Sequence, residues 1–255
     1  MQYRLRYVDQ VDVERRETVE AFVGRRAHET LQHFYDRLME GVLLSHDELL
    51  AHLHNSWEQE WHDQVHIVRA EMSQDDYRQF AIRCVTNYYQ SHHPFSQDGT
   101  MSTEMAVLFV LDVDRDIHIR GYIDRLSRVG DGVYEIHDYK TSRRLPSQKS
   151  VDVDRQLGFY HMAINQMVAD ASHIKLIWHY LAHNRRFVSQ RSPDNLHRLR
   201  DSTIELIDRI DRATEKRDFP AIRTRLCDWC DYRPVCPAWN PVQETLRLQP
   251  ASREG

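Results

Sequence analysis

The chain has 255 residues, 41% hydrophobic and 29% charged, with 8 glycines, 8 prolines and 4 cysteines; this balance excludes collagenous, low-complexity and disulfide-dense architectures. A net charge of −5 excludes a uniformly basic nucleic-acid coat, so phosphate contacts would have to be local, as at Arg25 with Arg26, at Arg143, Arg144 and Lys149, or at Arg185 with Arg186. Residues 1–12 lack the apolar stretch of a signal peptide and no run of about 18 apolar residues occurs anywhere, which reads as a cytoplasmic protein with no membrane partner.

From residue 13 to about 40, Phe22, Leu31, Tyr35 and Leu38 recur at helical intervals, and the stretches through Trp57, Trp61 and Val65 and through Tyr77, Phe80 and Val85 continue the pattern. Residues 1–100 are therefore expected to be mainly helical. Pro, Ser, Asp and Gly gather over 94–100 and mark a loop before β-type sequence. Residues 105–112, 117–126 and 132–140 are rich in Val, Ile, Phe and Tyr, and Gly130-Asp131-Gly132 is a turn signal between the last two. The spacing predicts a three-stranded antiparallel meander.

Residues 152–169 return to helical spacing through Gln156, Tyr160, Ala163, Ile164 and Met167, and 174–181 read as a buried strand. Ser192-Pro193 opens a further helix with Ser as cap and Pro in the first turn, and Leu196, Leu199, Leu206, Ile207 and Ile210 form its stripe. The expected order is helices, three strands, helix, strand, helix, without an internal repeat.

The hairpin would bring Asp124 of Gly121-Tyr122-Ile123-Asp124-Arg125 near Asp138 of His137-Asp138-Tyr139-Lys140-Thr141, with 13 residues between the two aspartates. Two carboxylates in one small volume repel unless a cation sits between them, and carboxylates with water and phosphate oxygens are what Mg²⁺ prefers. Side chains alternate along a strand, so Lys140 points to the same face as Asp138. An ammonium there can orient a metal-bound water or offset charge on a phosphorane. A bare D-x-K on a strand more often marks solvated surface; the neighbouring G-x-x-D-R and the downstream Gln156-Leu157-x-x-Tyr160 change that reading. Gln156 and Tyr160 share one helical face, suited to positioning substrate or supporting a metal shell, or to core packing with Ile164 and Met167.

These three blocks, G-x-x-D-R, D-Y-K-T and Q-L-x-x-Y, resemble those of the RecB-like branch of the PD-(D/E)XK nuclease superfamily. The resemblance covers about residues 3–239 and implies a restriction-endonuclease-like α/β fold, a mixed central sheet flanked by helices, with a helical amino-terminal portion and a Cys-rich carboxyl-terminal segment. It implies Asp124, Asp138, Lys140, Gln156 and Tyr160 as catalytic residues, and Mg²⁺ or Mn²⁺ held by His28, Asp124, Asp138 and Tyr139. His28 follows from the family's G-x-x-x-H helix, met by Gly24-Arg25-Arg26-Ala27-His28, and not from periodicity, since the chain holds 16 histidines. Glu104, at the start of the first strand, is a secondary acidic candidate that capping or solvation would equally explain.

Cys227, Cys230 and Cys236 have a ligand spacing and not a disulfide framework. The resemblance extends to the family's [4Fe-4S] subset, whose fourth cysteine lies near the amino terminus; here Tyr3-Arg4-Leu5-Arg6-Tyr7 is preceded by Met1 and Gln2. Three readings stay open: an incomplete cluster site, a cluster completed by Cys84 or a non-cysteine ligand, or Zn²⁺ held by three Cys and a His.

The organisation expected is one nuclease domain over 1–240, mainly helical over 1–100, the catalytic α/β core over 101–190, a helix and the Cys-rich metal-binding segment over 191–240, and a tail over 241–255. The function implied is a DNA nuclease, an exonuclease on single strands or DNA ends, in repair or recombination. No G-x-x-x-x-G-K-[ST] loop occurs, so unwinding would fall to a separate helicase or recombination partner. The rival readings are an end-processing subunit of the CRISPR-adaptation type and a catalytically idle DNA-binding module with a structural metal cluster.

Overall fold

The computed structural model describes residues 1–96 and 99–240; the tail expected at 241–255 lies outside the described residues. β1 (Glu17–Thr18) ends where the Thr18 side chain accepts a hydrogen bond from Ala21 N at 3.2 Å, and this cap starts α1 (Val19–Met39). The helix thus begins later than the periodicity from residue 13 suggests. Ser45 with Glu48, and Ser73 with Asp76, form capping boxes that open α2 (His46–Glu60) and α3 (Gln74–His92). Between these helices β2 (Val65–His66) pairs in parallel with β1, so Val65 is strand and not the continuation of a helix.

The three helices bury Phe22, Leu31, Phe34 and Tyr35 against Leu49, Leu53 and Trp57 and against Tyr77, Phe80 and Val85. Trp57 meets Phe22 edge to face at 4.9 Å, a geometry aromatic quadrupoles favour.

The meander follows as β3 (Thr100–Asp112), β4 (Ile117–Gly130) and β5 (Val133–Lys140), antiparallel throughout. The helix expected over 152–169 is α5 (Arg155–Met167), opened where the Asp154 side chain accepts from Leu157 N, and a short α4 (Gln148–Asp152) that was not expected precedes it. β6 (His173–Tyr180) then lies parallel to β5. β7 (Arg185–Ser189) closes the edge antiparallel to β6 and was not anticipated, its Arg185-Arg186 having read as a surface basic patch. The chain returns so tightly because Asn184 takes a left-handed φ of 48°, which Asn tolerates better than most residues. The last helix, α6 (Pro193–Glu215), starts as expected, with Ser192 capping and Pro193 in its first turn.

The sheet order is β3-β4-β5-β6-β7, a mixed sheet flanked by helices, as expected for the fold class. Tyr139 joins the α1–α3 cluster on one face. On the other, Phe109, Ile123, Ile136, Leu176 and Trp178 pack against Leu157, Tyr160, Ala163 and Ile164 of α5. Among the described residues, no helix is long and apolar enough to cross a membrane.

Buried histidines lie within this frame. His137 Nδ1 is 3.0 Å from His179 Nε2; burial, then the Arg125 charge, holds both well below the ordinary histidine range. Burial, then Arg191, holds His161 at about 4. Unfolded histidines titrate near 6.5, so below that pH the unfolded chain binds more protons and stability falls with falling pH. The contribution is present above about pH 6.5 and, for His161, is lost between there and about 4. The urea midpoint is expected to fall from pH 7 to pH 5; a constant midpoint would refute neutral burial of these rings.

Candidate active site

Pairing between β4 and β5 runs to Arg125 opposite His137, and just beyond it the Asp124 carboxylate lies between the strands. Its Oδ2 accepts a hydrogen bond from Tyr139 N at 2.7 Å. On β5, Ile136, Asp138 and Lys140 alternate onto the face that α5 covers. Asp138 is 1% exposed, and Lys140 Nζ reaches its Oδ2 at 2.7 Å and its Oδ1 at 2.9 Å. Lys140 Nζ also donates to Gln156 Oε1 at 3.1 Å, and Gln156 Nε2 donates to the Tyr160 hydroxyl at 3.2 Å. Asp138, Lys140, Gln156 and Tyr160 thus form one hydrogen-bonded run.

α1 brings His28 to the same place. Its Nε2 lies 2.7 Å from the Tyr139 carbonyl; a carbonyl only accepts, so Nε2 carries the proton and Nδ1, 3.5 Å from Asp124 Oδ2, faces the carboxylate. The Tyr139 peptide is therefore held from both sides, by Asp124 at its N–H and His28 at its C=O. Tyr139 enters the site only through this backbone: its side chain is 2% exposed and lies in the helical core.

Among the described residues, the one group of three His, Cys, Asp or Glu side chains whose ligand atoms all lie within 4.8 Å of one another is His28, Glu104 and Asp124. Asp138, expected in the metal set, is instead bound to Lys140. Glu104 stands between the Thr103↔Arg125 and Met105↔Ile123 pairs of β3 and β4, and so across from Asp124, with a left-handed φ of 43° that departs from strand geometry. An open cleft of ≈500 Å³, lined by Gly24, Arg25, His28, Glu29, Gln32 and Glu104, gives access.

The electrostatics suit a cation. Burial, then the Asp124 charge, pushes the Glu104 carboxyl above its ordinary range. Burial also raises Asp138, against the pull of Lys140. For His28, burial lowers the pKa, but the Asp124 hydrogen bond, the Asp124 and Asp138 charges and the Tyr139 carbonyl outweigh it and raise the ring to about 9. Crowded oxygens beside an imidazole, with carboxyls that resist ionising together, form a donor set that fits a divalent ion. With Glu104→Gln, affinity for Mn²⁺ by titration calorimetry is expected to fall about tenfold or more; unchanged affinity would remove Glu104 from the donor set.

Two motif residues do work that the motif alone did not reveal. The Arg125 side chain is 5% exposed; it donates to the hydroxyls of Tyr139 at 3.0 Å, Thr100 and Ser127 at 2.9 Å and Tyr88 at 3.4 Å, and lies 4.1 Å from the Tyr35 ring centre. Gly121 gives Tyr160 room, since a Cβ there would stand 2.7 Å from Tyr160 Cε1. At Gly24 a Cβ would meet Thr141 Oγ1 at an ordinary 3.6 Å. Gly121→Ala should lose about 1–3 kcal/mol by overpacking, whereas Gly24→Ala, inside α1, should gain about 0.5–1 kcal/mol. Urea denaturation of the two variants measures the contrast, and shifts of the same sign would contradict it.

The cysteine segment lies elsewhere. Cys227 is in a short turn, Arg225–Trp229, and Cys236 follows another, Arg233–Val235. The segment leans on the amino-terminal stretch, where Arg16 N donates to Asp231 Oδ1 at 3.3 Å, and Tyr3 stacks on Phe219 nearby in sequence. A hydrogen bond from Thr224 N at 3.4 Å, then the nearby Trp239 side chain, holds the Cys227 thiol below its ordinary range, which favours the thiolate that metals bind. Cys84 sits instead in the helical core, where burial pushes its thiol up to about 12.

A mixed five-stranded sheet that sets an Asp-x-Lys strand beside a His and carboxylate cluster is the framework of a phosphodiester hydrolase. A family model of the PD-(D/E)XK nuclease superfamily matches residues 1–237, and the chain belongs to that superfamily. The α/β fold is restriction-endonuclease-like, in keeping with this membership. No curated protein matches the chain.

Proposed function

We propose that this chain is a Mg²⁺- or Mn²⁺-dependent deoxyribonuclease of the RecB-like branch, an exonuclease on single strands or DNA ends that serves repair or recombination in the cytoplasm. The observation that carries the reading is the contact of Lys140 with both Asp138 and Gln156, next to the His28, Glu104 and Asp124 group. His28, Glu104 and Asp124 would hold the ion, with Asp138 and the Tyr139 carbonyl beside them. A bound divalent ion supplies an activated water and polarises the phosphate.

The chain's own groups do the rest. Lys140 offers its ammonium to a phosphate oxygen and offsets the charge that grows there. Asp138 keeps Lys140 charged and fixed in direction, since the carboxylate raises the lysine against the effect of burial. Gln156 grips Lys140 from α5, and Tyr160 holds Gln156 in turn. We read residues 1–240 as one nuclease domain, and Cys227, Cys230 and Cys236 as the remnant or core of a structural [4Fe-4S] or zinc site.

The test is cleavage of end-labelled single- and double-stranded DNA with Mg²⁺ or Mn²⁺ and with chelator. Metal-dependent shortening from the ends supports the proposal. Tight binding without cleavage under every metal condition would overturn it in favour of a binding module.

A further inference from the structure

The face of β3 and β4 that leads away from Asp124 is open. Ile123 is fully buried against the α5 side and Gly121 abuts Tyr160 there, so alternation turns Arg120 and Tyr122 to the opposite face. On β3, Ala106 stands across from Tyr122 and Leu108 across from Arg120. Tyr122 is 45% exposed and Leu108 58%. Arg120 Nη2 donates to the Tyr122 hydroxyl at 2.8 Å, with its guanidinium 5.7 Å from the ring centre. The ring is thereby held at its hydroxyl end, and small Ala106 beside it leaves much of the ring uncovered.

An exposed tyrosine on a strand is usually incidental. This one lies two residues, about 6.8 Å along the strand, from Asp124, carries a basic partner, and continues onto exposed Leu108. An aromatic ring with an arginine beside it is the chemistry that receives a nucleobase, whose own face is free to stack only when the strand is unpaired. We propose that Tyr122, positioned by Arg120, is a stacking platform for the base adjoining the cleaved phosphodiester, and that it makes the site select single-stranded DNA. This rests on the nuclease reading above.

The test reads binding, with chelator present, so that it does not depend on cleavage. Single-stranded oligodeoxynucleotides carrying one 2-aminopurine, moved along the strand, are titrated with the full chain, and the same oligonucleotides are titrated as duplexes. Wild type is expected to quench the fluorophore at one position. Tyr122→Phe should keep the quench and bind within about threefold of wild type, because the ring remains. Tyr122→Ala should lose the quench and bind single strands about 5- to 150-fold more weakly, lowering the ratio of single- to double-strand affinity.

A wild type that binds without quenching at any position, or a Tyr122→Ala that binds single strands like wild type, overturns the platform. Equal weakening on single strands and duplexes overturns it too. Failure of the nuclease reading shows separately, as absence of metal-dependent cleavage in wild type.

Discussion

Alanine at Asp138 or at Lys140 is expected to lower metal-dependent DNA cleavage by about 10³-fold or more, against the 10²–10³ typical for removing one stabilising donor from a reacting centre. The larger figure follows from the shared network. Without Asp138, Lys140 loses the carboxylate that both its short contacts use and keeps only Gln156. Without Lys140, Asp138, buried at 1% exposure, loses the cation bonded to both its oxygens. Because the two act as a unit, the double variant should be little worse than either single one. Lys140→Arg should rescue poorly, since a planar fork cannot replace a compact ammonium in that pocket. Cleavage rates at matched circular dichroism decide this, and single variants that cut at the wild-type rate would remove both residues from the mechanism.

The second large effect falls on stability. Arg125→Ala is expected to lower the unfolding free energy by about 3–5 kcal/mol. One buried guanidinium serves the hydroxyls of Tyr88, Thr100, Ser127 and Tyr139 and lies over Tyr35, so its removal deprives several buried groups of a charged donor at once. Arg125→Lys should recover only a small part, because three donors on a flexible stem cannot reach a set of hydroxyls arranged for a fork. The loss should also reach the site, since Arg125 fixes the Tyr139 side chain whose peptide Asp124 and His28 grip. Urea unfolding measures the first effect and Mn²⁺ titration of the folded variant the second. A variant as stable as wild type would make Arg125 a peripheral residue.

Much of this was open to inspection in the sequence because it rests on short periods. Alternation put Asp138 and Lys140 on one face, the hairpin put Asp124 near Asp138, and the four-residue spacing of Gln156 and Tyr160 put both on one helical face; that Gln156 reaches Lys140 is seen only in the fold. Ser192-Pro193 announced its helix through capping chemistry. What stayed hidden depends on tertiary contact. Glu104 meets His28 only where α1 packs on β3. Tyr139 contributes a peptide and not a side chain, which no residue pattern displays. β7 is five residues long and begins with two arginines, so its pairing with β6 decides its conformation more than its own propensity. The burial of Arg125 was likewise invisible, since a motif arginine reads as a surface charge.

Gly132, at the far end of the β4–β5 hairpin, has a φ of 65° and is packed so closely that a Cβ would stand 2.7 Å from Asp170 O. That turn acts as a ruler. A slip of one residue there would carry along β5 and exchange faces for every side chain on it, turning Tyr139 toward α5 and Asp138 into the helical core. The reacting groups are therefore registered by a glycine that never approaches them, and the hairpin's accuracy of closure becomes part of the site's chemistry.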